Sequence, residues 1–140
     1  MKVPSIQPVR DAFASLPSVQ EWLRPDLHPM DRADGEDFLA SVATGEDPAE
    51  YFQSAIPYIA ILADPARVHF LPDILETLQK HHTSIFEIAA QFDGDTGARL
   101  ARSLTDVQKG AVRRYLDALL QDRGLASYRD EFASFRGIFQ

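Results

Sequence analysis

The strongest pattern of apolar and polar positions runs from Leu104 to Gly124, LTDVQKGAVRRYLDALLQDRG. At about 100° per residue, Val107, Ala111, Val112, Tyr115, Leu116, Leu119 and Leu120 sweep more than half of a helix circumference. Asp106, Gly110, Arg113, Arg114, Asp117 and Gln121 are left as a narrow polar strip. Thr105 is a good N-cap, with Gln108 three residues on to complete a capping box. Gly124 is expected to supply the left-handed residue that ends the helix, and Leu125 to close the apolar contact behind it. A helix this apolar has to be wrapped on several sides. The pattern therefore predicts an all-α fold, a compact orthogonal bundle of about seven or eight helices around a central helix near residues 105–123.

The remaining segments read as shorter helices. Ser5 can cap a turn through Ile6, Val9 and Phe13, with Pro8 tolerated in the first turn. Ser18 and Glu21 suggest a second capping box leading to Trp22 and Leu23, stopped by Pro25. The only tryptophan is expected to pack as a lid on the core. Residues 26–35 carry few large apolar side chains and read as a loop. Glu36 to Ala43 is a short helix presenting Phe38, Leu39 and Val42, ended by Thr44 and Gly45. Asp47-Pro48-Ala49-Glu50 starts the next helix well, with Tyr51, Phe52 and Ala55 as its inner face.

Ile56 to Ala63, IPYIAILA, fits a buried strand or a buried helix by periodicity alone. A strand needs a ladder partner, and no second run of this kind exists, so the segment is expected to be helical and entered through Pro57. Asp64 to Phe70 reads as one helix and Pro72 as the start of another through Ile74, Leu75 and Leu78. Lys80, His81 and His82 suit the C-terminal end of that helix. Ser84 and Glu87 form another capping-box pattern before Ile85, Ile88, Ala89 and Phe92. Asp93 to Gly97 is a turn, Ala98 to Ser103 adds one or two helical turns, and Ser127 caps a last helix anchored by Phe132, Phe135 and Phe139.

At 140 residues the chain has the length of one domain, 1–140, with enough surface to bury a core without disulfides or metal. It has no cysteine, which removes thiolate chemistry and Cys-based zinc sites. No stretch approaches a membrane span, and MKVPSIQPVRDAF lacks the apolar core of a signal peptide, so a cytoplasmic location is expected. Charge sharpens the picture once it is located. Between Asp26 and Glu50 stand eight acids and one base, an imbalance equal to the −7 of the whole chain. Nucleic acid is an unsuitable partner, because binding it requires a basic footprint.

Catalytic chemistry finds little support in the sequence. The Asp93–Gly97 turn fails as a calcium loop, having Gly97 at the fifth position and Leu104 at the twelfth. His81 and His82 are adjacent and diverge on a helix. His69 and Asp73 stand four apart, but Pro72 between them is expected to break the helix. Neither a glycine-rich phosphate loop nor a nucleophile elbow occurs. No catalytic residue, metal ligand or cofactor is assigned.

Asp64-Pro65, Phe70-Leu71-Pro72 and Leu75, taken with Leu104-Thr105, Gln108, Ala111-Val112, Tyr115-Leu116 and Leu119, resemble a family of small, uncharacterised bacterial helical proteins. Its members show a Leu-Pro step and then an LTxxQxxAVxxYLxxL-like helix. The resemblance covers about residues 64–120 and implies a helical fold without catalytic residues. Three functions compete at this level. The first is a protein-binding module, an inhibitor or immunity protein neutralising a basic toxin or effector through Asp31, Asp34, Glu36, Asp37, Glu46, Asp47 and Glu50. The second is a metal-dependent enzyme using His69, Asp73 or the acidic cluster. The third is a self-associating protein whose phenylalanines from Phe132 to Phe139 form a homodimer seam. The localised acidity favours the first, with no membrane or nucleic-acid partner.

Overall fold

The computed structural model describes residues 4–54, 56 and 58–140. Among these residues the chain forms nine α-helices, three short 3₁₀ turns and no strand longer than an isolated bridge. The helices are α1 (Gln7–Ala12), α2 (Pro29–Ala43), α3 (Pro48–Ser54), α4 (Tyr58–Ile61), α5 (Asp64–Lys80), α6 (Ile85–Ala90), α7 (Asp95–Ser103), α8 (Asp106–Leu120) and α9 (Arg129–Arg136). The all-α expectation is met, with nine helices among the described residues, some longer and some shorter than the pattern suggested.

α8 begins as its sequence requires. The Gln108 amide donates to Thr105 Oγ1 at 3.1 Å, and the Thr105 amide donates to Gln108 Oε1 at 2.9 Å. Ala111, Val112, Tyr115, Leu116 and Leu119 are buried. The arc is rotated from the predicted one at its N-terminal end, where Val107 is 70% exposed while Gln108 and Gly110 are buried. The helix stops at Leu120, four residues before Gly124. Asp122 breaks it by accepting the Gly124 amide at 2.9 Å and opening a 3₁₀ turn. Gly124 is not left-handed, although Leu125 is buried behind the helix end as expected.

α5 shares the centre of the molecule. The predicted break at Pro72 is absent, and one helix runs from Asp64 through Lys80. An internal proline costs a helix about 3 kcal/mol, a loss that packing can offset. Ala66, Val68, Phe70, Leu71, Pro72, Ile74, Leu75 and Leu78 are all buried, so α5 is wrapped on almost every side. Thr77 fastens it to α3, its hydroxyl lying 3.2 Å from the Ala49 carbonyl oxygen. α1 packs on α8 and is tied to α5 through Arg10, whose Nη2 donates to Asp73 at 3.0 Å and to Glu76 at 2.6 Å.

The Ile56–Ala63 run is neither the continuous helix expected nor a strand. Residues 58–61 make one helical turn, and Leu62 pairs with Leu23 in an isolated antiparallel bridge. The Arg24 amide donates to the Ile61 carbonyl, and the Ala63 amide donates to the Trp22 carbonyl. The partner is therefore the Trp22–Arg24 segment, which the Ser18–Glu21 pattern had marked as helix and which is extended instead. The carbonyls left open by so short a helix are taken by Arg67. Its buried guanidinium donates to Ile59 at 3.1 Å and Ala60 at 3.0 Å, and to the Asp64 carboxylate at 2.7 Å. Pro57 and Ala55 lie outside the described residues.

Two further expectations change. Residues 29–35 are helical, because His28 Nδ1 accepts the Met30 amide and Pro29 occupies the first turn. Gly35 then lets α2 settle on the Leu23 and Ile61 side chains, which a Cβ there would meet at 3.0 Å or less. Neither Ser84 nor Ser127 caps its helix through its side chain, since 3₁₀ turns lead into both α6 and α9. Phe132, Phe135 and Phe139 are all buried inside the chain. They cannot form the exposed seam that self-association would use.

Candidate functional site

α2 lies on the molecule by a narrow strip. Only Gly35 and Phe38 are buried in its 15 residues, with Arg32, Leu39, Ser41 and Val42 partly so. The rest of its circumference is open, and Asp31, Asp34, Glu36 and Asp37 are all exposed there. Among the described residues, none of these four forms an ion pair. Met30, 72% exposed, stands on the same side as Asp34 and Asp37, four and seven residues on.

The other three acids follow in sequence. Glu46 and Asp47 occupy the turn after Thr44 and Gly45, and Gly45 makes that turn with φ 104. Asp47 Oδ1 accepts the Ala49 amide at 3.0 Å and so caps α3, whose first turn holds Glu50. Asp47 and Glu50 act on Lys80 at the end of α5, whose ammonium is raised chiefly by its bond to Glu76. The structure thus separates the seven acids into an open quartet on α2, Asp47 and Glu50 acting on Lys80, and Glu46 exposed in the turn between.

Beneath the quartet lies an aromatic cluster that the acidic count did not reveal. Phe38 is fully buried and its ring contacts Tyr51 at 5.2 Å and Tyr58 at 5.6 Å between centroids. Both tyrosines are only partly buried. The Tyr58 hydroxyl is raised above its ordinary value, first by desolvation and then by the charges of Asp34, Tyr51 and Asp37. Two of the four α2 carboxylates, Asp34 and Asp37, thus act on Tyr58. A sequence signal existed, since Phe38 lies within the acidic stretch and Tyr51 and Tyr58 follow it, but their meeting depends on how α2, α3 and α4 fold back.

A second constellation lies on α5. Because the helix continues through Pro72, His69 and Asp73 stand one turn apart on one helix. Both line a cleft of about 480 Å³ with Arg10, Phe13, Val19 and Trp22. The Trp22 ring meets His69 edge-on at 4.9 Å and Phe70 at 5.6 Å, so its expected packing role is correct. Burial holds the His69 imidazole below its ordinary value, against the opposing charge of Asp73. Burial raises Asp73 itself, opposed by its bond to Arg10.

Of the remaining histidines, His28 caps α2, His81 follows the last residue of α5 and His82 opens the 3₁₀ turn after it. Among the described residues no three histidines or acids come together as a metal-ligand group, and no helix is long and apolar enough to cross a membrane. In comparison with known proteins, the chain matches no family model, no curated protein and no solved structure.

Proposed function

We propose that the protein is a binding module and not an enzyme: an inhibitor of the immunity type that neutralises a bacterial toxin or effector in the cytoplasm. The observation that supports this reading is the half-buried pair Tyr51 and Tyr58 beneath the open carboxylates of α2. Tyrosines contribute much of the affinity at protein interfaces, because they bury a large rigid surface while keeping a polar end. Carboxylates around them attract a basic partner and accelerate its encounter. An acidic face backed by aromatic rings thus suits a basic protein surface better than nucleic acid or a membrane.

Affinity capture from the native host tests the proposal. The bait is the wild-type chain beside the variant Asp31→Asn, Asp34→Asn, Glu36→Gln, Asp37→Asn. A basic protein should be retained by the wild type, be lost from the variant, and show an activity that the wild-type chain blocks. Retention of the same proteins by both baits would refute the acidic face as the binding surface. A partner whose activity is unaffected would refute inhibition.

A further inference from the structure

Between α1 and the bridge at Leu23 the chain crosses α5 as a strap without helical structure. Leu16, Pro17, Ser18 and Val19 of this strap border two cavities at once. One is the 480 Å³ cleft already described, and the other is a groove of about 530 Å³ over Pro65 and Val68. His69 lines both. The groove is mostly apolar and the cleft about half polar, and cavities of this size that combine apolar walls with a few convergent polar groups are usual small-ligand sites.

The walls dictate the chemistry of an occupant. Phe13, Trp22 and His69 offer aromatic rings, and Leu16, Val19, Pro65 and Val68 offer aliphatic surface. The ions in the walls are compensated within the protein. Arg10 is bound to Asp73 and Glu76, and Asp64 is bound to Arg67 at 2.7 Å and Arg99 at 2.9 Å. Glu21 is exposed to solvent. In the cleft beside Trp22, which Glu21 does not line, a charged ligand would have to lose its hydration without gaining a free counter-ion. The His69 ring nitrogens, in contrast, have no hydrogen-bond partner among the described residues.

We propose that the two cavities together bind a small, uncharged aromatic molecule with one hydroxyl or similar hydrogen-bonding group. Its ring lies beside Trp22 and its polar group bonds the His69 imidazole. This site is separate from the acidic face of α2 and stands or falls independently of it. The low basicity of His69 is consistent with it, since the neutral ring can donate at one nitrogen and accept at the other.

Trp22 is the only tryptophan, so its emission reports binding directly. Benzyl alcohol, benzylamine and benzoate share one ring and differ in charge. Excited at a wavelength where these probes are transparent, Trp22 should change emission saturably with benzyl alcohol, at a half-point of about 1–10 mM for so small a fragment. The two charged probes should bind roughly tenfold more weakly or worse. His69→Phe keeps the ring contacts but removes the nitrogens, and should weaken benzyl alcohol about tenfold. Val19 lines both cavities, so Val19→Trp puts a bulky ring from the strap into each ligand path without touching the core, and should weaken saturable binding, followed by calorimetry, about tenfold. No saturable change with benzyl alcohol, or equal or tighter binding of a charged probe, would overturn the proposal. Undiminished binding by Val19→Trp would do the same.

Discussion

Gly97 and Gly110 are both helical glycines, and a methyl group added to each meets different surroundings. At Gly97 it would run into the backbone carbonyl of Phe92, which cannot swing aside. At Gly110 the nearest atoms are guanidinium ends of Arg114 at 3.2 Å and Arg113 at 3.8 Å, which can move at small cost. Gly97→Ala should therefore lose about 1–3 kcal/mol in urea unfolding through overpacking. Gly110→Ala should gain from a few tenths up to about 1 kcal/mol through the unfolded chain and helix propensity. Equal signs for the two would contradict the described surroundings. His69 gives a pH-dependent expectation. Its folded pKa lies below the unfolded value of about 6.5, so as pH falls through 6.5 the unfolded chain takes up a proton that the folded chain resists. Stability is lost in that window, and His69→Phe should remove this part of the loss. Urea midpoints at pH 7.5 and 5.5 measure it, and an equal fall in both proteins would show that His69 titrates normally.

At the scale of elements, what could be read from the sequence was the grammar of individual helices. The Thr105–Gln108 box, the Asp47-Pro48 start and the Thr44-Gly45 stop depend on neighbouring residues alone, and all three stand in the structure. What escaped depends on tertiary partners. Pro72 would end an isolated helix, but α5 buries both of its halves and survives it. Ser18 and Glu21 would start a helix, yet Trp22–Arg24 is drawn out to pair with Ile61–Ala63. The same rule hid the clefts, since His69 and Asp73 meet only when Pro72 is spanned. For α8, where grammar and packing agree, two variants set the scale. Thr105→Ala should cost about 1 kcal/mol by removing the cap. Leu116→Ala, at a fully buried position, should cost about 2–5 kcal/mol. A change below about 1 kcal/mol for Leu116→Ala in urea unfolding would mean that α8 is not wrapped.

On the scale of the whole molecule, charge is separated from stability. Among the described residues, the ion pairs that tie elements together, Arg10 with Asp73 and Glu76, Asp64 with Arg99, and Asp117 with Arg136, all lie outside α2. The acids on α2 were legible by counting, but their openness was not, because it follows from how little of that helix the core takes. Replacing Asp31, Asp34, Glu36 and Asp37 by amides should leave the melting temperature nearly unchanged, since exposed charges without partners contribute little to folding. The same change should matter for association. Steering by exposed charge acts over about 8 Å at physiological ionic strength and grows as salt is removed. The most direct measurement is the association rate constant with the captured partner, taken from low to physiological salt for wild type and quadruple variant. The proposed function predicts a wild-type rate that falls steeply with salt, and a variant rate that is slower at low salt and nearly flat. Identical rates and affinities for the two proteins across that range would contradict it, and would leave the acidic face of α2 as a solvated surface.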